Sequence, residues 1–477
     1  LSSNTNFSNM TVASFNEIEV INLGNNRTGT FTGAQLTGET LDLQESGSGT
    51  SGIIISMGSG TTGTFTNITA SSFDNGSDTF TINGTSGNEN ITGANIATTI
   101  VAGAGDDTVV AGTQNDIIDG GDGADSLTGG SGDDVYLFDA GDIDSGEAIV
   151  ESGGGGTDVI SLDENVDFSL MTVASFDEIE QIRFAGSSKT GTFTGAQLTT
   201  ETIALTETGS GTNKLVVEVA SGTTVDLSNL SNGTGWDNGT DTITINGVDA
   251  GGEVITGPNI HKTSIFGKSG NDNITGGSGN DTVNGGDGDD TMDGGGGTNT
   301  LTYSDATSAI TINLGTGGAQ NTGGAGSDTI SNFIHVTGSD HDDNLTGDSN
   351  DNTISGGKGA DTLNGGGGTD TIYGGDGADT LVFATGMTTG TFRPGATNIE
   401  TLDVSAAATS GAATTLHLGD ATSVTAVELN LNGDDEDITV AGASNVTSYK
   451  LAGTMAATAD VVTLGSSSTL TITNEAA

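Results

Sequence analysis

The sequence predicts an all-β chain in which coiled arrays of very short strands alternate with β-sandwich or β-solenoid modules. Three observations predict it. Residues 267–302 divide every nine residues into GKSGNDNIT, GGSGNDTVN, GGDGDDTMD and GGGGTNTLT. Glycine holds the first and fourth places, Asp272, Asp281, Asp290 and Asn299 the sixth, and Ile274, Val283, Met292 and Leu301 the eighth. That period is not the 3.6 residues of an amphipathic helix; it describes a glycine-rich turn followed by a short strand with one inward side chain. Other stretches alternate at period two between Gly and Asn turns, as in Thr79-Phe80-Thr81-Ile82-Asn83, which reads as antiparallel or solenoidal strands. The chain has 2 prolines, which suits long β-structure because proline removes ladder hydrogen bonds. No long amphipathic helix is found, and only residues 11–18 suggest a short one.

The nonapeptide resembles the calcium-binding, hemolysin-type repeat of the RTX family. Four successive units in one frame make the likeness specific, where a single Gly-Asp turn would be weak. In that family two nonapeptides form one turn of a right-handed parallel β-roll, and Ca²⁺ sits between successive turns. The resemblance therefore implies parallel β-roll (RTX) arrays alternating with the other β-modules, and several bound Ca²⁺ ions. It implies carboxylate ligands at Asp107, Asp116, Asp125, Asp134, Asp272, Asp281, Asp290, Asp343, Asp361, Asp370 and Asp379. It implies backbone carbonyl ligands in the loops of Gly121, Gly123, Gly130, Gly132, Gly277, Gly279, Gly286, Gly288, Gly357, Gly359, Gly366, Gly368, Gly375 and Gly377. The chemistry agrees. Ca²⁺ is a hard cation that takes six to eight oxygens at about 2.3–2.6 Å. A tight loop presents several carbonyls to one point only with unusual φ/ψ, which glycine reaches without a Cβ clash.

Taken in order, residues 1–83 form a first β-module without the nonapeptide. Residues 84–138 return to the nine-residue frame, with Glu89, Thr98, Asp107, Asp116, Asp125 and Asp134 at its sixth places. Residues 139–246 repeat the first module. MTVASFNEIE at Met10 returns as MTVASFDEIE at Met171, GTFTGAQLT at Gly29 returns at Gly191, and DNGSDTFTING at Asp74 returns as DNGTDTITING at Asp237. The second array, 247–302, opens with two ten-residue units that break the frame. A connector follows at 303–337, with a strand expected at 309–314, and a third array at 338–383 has Asn352 at one sixth place. Residues 384–477 turn to Ala, Thr, Ser and Val in short strand-like patches, a texture similar to the repetitive β-regions of RTX surface-layer proteins. The acids Asp434, Asp435, Glu436 and Asp437 read as a solvated turn.

Composition narrows the function. There are 63 acids against 9 Lys and Arg, a formal net charge of -54, which excludes a nucleic-acid partner because phosphate binding needs a basic surface. Such charge with few large apolar residues would ordinarily indicate disorder, but many acids recur at fixed places where a cation would neutralise them. Cysteine is absent, so neither disulfides nor thiolate metal sites are expected. No apolar run is long enough to span a bilayer, and no signal peptide is evident. The chain begins at Leu1, so processing, or excision from something longer, is expected.

The usual catalytic constellations are missing. There is no HExxH, and the four histidines, His261, His335, His341 and His417, lack metalloprotease spacing. No GxSxG elbow occurs. Gly267-Lys268-Ser269 imitates the end of a P-loop, but Lys262 stands where its first glycine is needed. Trp236 faces the choice between a sugar site and a structural role; Phe73 at the matching place of the first module favours structure. In Asp106-Asp107, Asp133-Asp134 and Asp289-Asp290 the resemblance implies that the second acid is the ligand, and the first is expected to face solvent or add charge near the ion.

These readings point away from an enzyme. They indicate a secreted calcium-binding structural protein, a subunit of a bacterial surface layer or extracellular fibre, folded and assembled by Ca²⁺. RTX proteins leave the cell by type I secretion, and a roll that folds only in extracellular calcium suits that route. Self-assembly into a lattice or filament is the expected partnership, with cell-surface polysaccharide a further partner. The alternatives are an RTX adhesin binding a carbohydrate or host surface, and a non-catalytic region of a larger RTX protein.

Overall fold

In a computed structural model, residues 3–382 are described apart from 11–17, 48, 74–76, 152–154, 172–175, 177, 238 and 260–261; beyond 382 the backbone of eight strands is described, from Met387–Arg393 to Leu470–Ile472. The short helix expected at 11–18 and the acids 434–436 therefore lie outside the described residues. The chain forms two compact units, Leu1–Glu218 with Asn229–Thr244 and Val219–Ser228 with Ile245–Ala477.

Each unit is a parallel β-solenoid. In the first, successive strands alternate between sheets, so each strand pairs in parallel with the one a full turn later. One sheet runs from Thr5–Asn6 through Thr79–Thr85, Thr98–Ala104 and Ile117–Asp122 to Ser231–Asn232, 11 strands in all. The facing strands Thr62–Thr64, Asn90–Thr92, Thr108–Gly112, Ser126–Gly130 and Ala148–Ile149 form a 5-stranded sheet. Period-two alternation turns every second side chain inward, and parallel register stacks like on like. Phe31, Ile55, Ile82, Ile100, Ile118, Tyr136, Ile160, Ile182 and Leu205 form one buried column. The same column passes from the first module into the first array, with no break in pairing at residue 84.

The sandwich alternative therefore falls, and so does antiparallel pairing in the modules. Alternation marks a strand with one buried face but does not say which way its neighbour runs. The repeated GTFTGAQLT builds the same corner twice: strands Thr28–Thr32 and Thr190–Thr194, each followed by a single helical turn, Gly33–Leu36 and Gly195–Leu198. Gln35 and Gln197 accept from the Thr32 and Thr194 N–H groups at 2.8 and 2.7 Å. Their amides donate to the carbonyls of Phe7 and Phe168. Trp236 is buried with its ring 5.1 Å from that of Phe184, the structural role that Phe73, also buried, suggested.

The second unit continues the pattern. Val225, Ile255, Ile274, Met292 and Ile330 form one column, and Ile265, Val283, Leu301, Val336, Ile354 and Ile372 another. The connector contains the expected strand, as Thr311–Asn313. It also contains a hairpin, Ala319–Gly323 with Gly326–Ser331, the one antiparallel strand pair among the described residues. The second hairpin strand rejoins the solenoid beside Thr291–Asp293, and His335–Thr337 rejoins beside Thr300–Thr302.

Candidate metal centre

The array turns stack so closely that they dictate their own glycines. Gly286 has φ +95, and a Cβ there would lie 1.7 Å from the Lys268 carbonyl oxygen one turn back. Gly288 has φ +151, with the Gly270 oxygen at 1.6 Å. Of the loop glycines named from sequence, all but Gly279 have positive φ. First-place glycines serve differently: a Cβ at Gly285 would meet Oδ2 of Asp290 at 2.2 Å, and one at Gly374 would meet Oδ2 of Asp379 at 2.2 Å. Glycine there makes room for the carboxylate of its own nonapeptide.

Those carboxylates form a ladder. Within an array the N–H of one sixth-place residue donates to Oδ1 of the sixth-place residue 18 positions later: Glu89 to Asp107, Asp107 to Asp125, Asp272 to Asp290 and Asp361 to Asp379, at 2.5–3.0 Å. Thr98 to Asp116, Asp116 to Asp134, Thr263 to Asp281 and Asn352 to Asp370 repeat the bond. The other oxygen, Oδ2, of Asp107, Asp116, Asp125, Asp134, Asp272, Asp281, Asp290, Asp361, Asp370 and Asp379 is buried and receives no hydrogen bond. These ten side chains are no more than 2% exposed.

Burial therefore raises their pKa values against the lowering effect of the single N–H donor. Asp116 is pushed to about 8, Asp125, Asp281, Asp290 and Asp361 to about 7, and Asp107, Asp272 and Asp370 to about 6. Asp134 and Asp379 are raised for the same reason. A buried carboxylate with a donorless oxygen is costly unless positive charge meets it. Protein cations do not supply that charge: the ion pair among the described residues joins Lys358 to Asp340, both exposed. The donor set, carboxylate oxygens beside tightly stacked carbonyls, fits Ca²⁺. No three acidic or histidine side chains converge as a metal-sized cage among the described residues, so backbone carbonyls would complete each shell.

Asp343 is engaged differently. Its carboxylate accepts from the Ser339 N–H at 2.6 Å, the Ser339 hydroxyl at 2.8 Å and the Ile310 N–H at 2.8 Å. The fifth-place acids also differ from the sequence expectation. Asp106, Asp133 and Asp289 do not merely face solvent; they accept from the N–H groups of Ala124, Thr157 and Ser327 on the next turn. Two hydrogen-bond ladders thus run along the loops in opposite senses.

Sequence reasoning missed the members of the ladder outside the nine-residue frame. Glu147, Asp158 and Glu180 accept from Asp125, Asp134 and Asp158 in turn. Asp241 accepts from Asn213, Asp78 from Ser51, and Asp328 from Asp290 across 38 residues. Glu253 donates its N–H to Asp272 and has a buried, donorless Oε2. A signal was available: each of these acids stands two residues before an inward apolar residue, as in Glu147-Ala148-Ile149, Glu253-Val254-Ile255 and Asp328-Thr329-Ile330.

A parallel β-solenoid whose corners carry a ladder of buried, cation-seeking carboxylates defines a calcium-binding β-roll. The family model of the RTX calcium-binding nonapeptide repeat matches four times, over residues 99–142, 266–301, 337–372 and 346–381. The arrays are RTX calcium-binding nonapeptide repeats. No curated protein matches the chain. The matches cover most of the arrays and leave nearly all of the modules, and the C-terminal strands, outside.

Proposed function

We propose that this calcium-binding β-roll protein is a secreted, non-catalytic structural protein, a subunit of a bacterial surface layer or extracellular fibre that calcium folds and assembles. The observation that carries the reading is the set of donorless Oδ2 atoms along the arrays. An ion that binds only the folded chain stabilises it in proportion to the logarithm of its concentration over Kd. Extracellular calcium modules bind with Kd around 10⁻⁴–10⁻³ M, so such arrays stay loose where free calcium is low and close outside the cell. The duplicated corner around Phe31 and Phe193 supports a structural role, because it repeats packing rather than a reactive group. A net charge of -54 opposes close approach of like copies until divalent ions bridge them. No helix among the described residues is long and apolar enough to cross a membrane.

The test is electron microscopy of the purified chain across a calcium titration, reversed with chelator. Ordered sheets or filaments that appear near millimolar calcium and dissolve in chelator are expected. A chain that folds with calcium but stays monomeric at high concentration overturns the assembly role.

A further inference from the structure

Four positions around the connector depart from the ladder in the same way. At Asn299, Oδ1 accepts the Asp281 N–H at 2.9 Å, as an aspartate would, and Nδ2 donates to the carbonyls of Gly296 and Asn332, both at 3.1 Å. At Asn352, Oδ1 accepts from Asp348 at 2.9 Å and Nδ2 donates to the Ile334 carbonyl at 2.7 Å. Asp328 receives the Tyr303 hydroxyl at 2.8 Å in addition to the Asp290 N–H. Asp343 receives both donors of Ser339. None of these four has the donorless buried oxygen that marks Asp272, Asp281 and Asp290 before the connector, or Asp361, Asp370 and Asp379 after it.

We propose that the splice between the second and third arrays, residues 294–352, holds its register without calcium: protein donors at Asn299, Asp328, Asp343 and Asn352 stand in for the cation. This rests on the calcium reading of the arrays. An aspartate Oδ2 beside loop carbonyls sets acceptor against acceptor, and only a cation reconciles them. An amide nitrogen at that place donates to the carbonyls instead and needs no ion. The two asparagines take hold of the connector at Asn332 and Ile334, just where the chain re-enters the solenoid. The Asn299 carbonyl also receives the N–H groups of Ile334 and His335, which fixes strand His335–Thr337 against Thr300–Thr302. The splice is thus a preset platform in the second unit, and the arrays on either side close onto it when calcium binds.

Hydrogen exchange of the full chain in chelator tests this, because it reads local opening segment by segment. Peptides over 310–314 and 335–346, whose N–H groups donate within the splice, should stay protected while those over 273–292 and 362–381 exchange freely, and calcium should restore the latter. Loss of protection in all of these segments overturns the splice proposal but leaves the calcium reading standing. Protection of all of them in chelator overturns the calcium reading, and this proposal with it. The variants Asn299→Asp and Asn352→Asp provide the converse. Each should bind one more calcium ion than the parent by native mass spectrometry and should make protection of the splice depend on calcium. An unchanged ion count, or protection that persists in chelator, overturns the proposal.

Discussion

A turn of the second module spans 22 residues where Ser161 meets Arg183, whereas an array turn spans 18 where Asp107 meets Asp125. The longer turn fills its interior with rings. Phe168 stacks on Phe193 at 4.5 Å, Phe138 meets Phe168 edge-on at 5.2 Å, and Phe176 meets Phe193 at 6.0 Å. The shorter turn has one large inward aliphatic residue per strand, such as Val109 or Leu127, and gives its corners to carboxylates. Aromatic burial and ring packing stabilise a module without an ion. An array buries less apolar surface and more charge, so its stability depends on an ion.

Removing calcium should separate the two regions most widely. Each ion contributes about 2.7 kcal/mol when present at 100 times its Kd, and the arrays contain several ladder positions. In chelator the array strands should lose their far-ultraviolet circular dichroism and exchange protection, while the module strands around Phe193 keep theirs. Equal loss in both would erase the distinction.

The same carboxylates set a pH response of opposite sign with and without metal. Their folded pKa values, about 6 to 8, lie above the unfolded value near 4. Between those limits the ion-free folded chain binds more protons than the unfolded chain, so its stability falls as pH rises. In chelator the arrays should be fully stabilised near pH 4 and lose that stability progressively up to pH 8. In calcium, protons compete with the ion, and apparent affinity should rise over the same interval. Thermal unfolding at several pH values, with and without chelator, reads both slopes.

Core truncation in a module should be indifferent to the ion. Phe193→Ala is expected to cost about 3–5 kcal/mol, with the same shift in chelator and in calcium. A calcium-dependent shift would mean that module and array stability are not separate. A smaller effect belongs to the array loops. Gly288→Ala, forced to φ +151 and against the Gly270 carbonyl, should cost about 1–3 kcal/mol and weaken calcium binding. Gly317→Ala, in the connector with open space around its Cβ position, should change neither stability nor affinity.

Much of this difference was legible in the residues. The frame of 267–302 gave the loop, the buried acid and the inward residue at once, because glycine, acid and aliphatic residues each answer to a separate constraint within nine positions. The duplicated GTFTGAQLT marked a repeated corner. Parallel pairing in the modules was not legible, since Thr79-Phe80-Thr81-Ile82 reads alike in either direction. Asp328 was hidden by the 38 residues that separate it from Asp290. Glu253 was hidden by its ten-residue unit, because periodicity finds ladder acids by count whereas the fold selects them by place before the strand. The amide substitutions at Asn299 and Asn352 were visible as departures, but their meaning needed the carbonyls of Asn332 and Ile334, which the sequence places far away.

The most direct measurement is an anomalous difference map from crystals of the chain grown in calcium, recorded at a wavelength where calcium scatters anomalously. The expected result is density against Oδ2 of array aspartates such as Asp116, Asp281 and Asp361, and none beside Nδ2 of Asn299 or Asn352. Array oxygens met by water or protein donors, or ions seated beside the two amides, would contradict it.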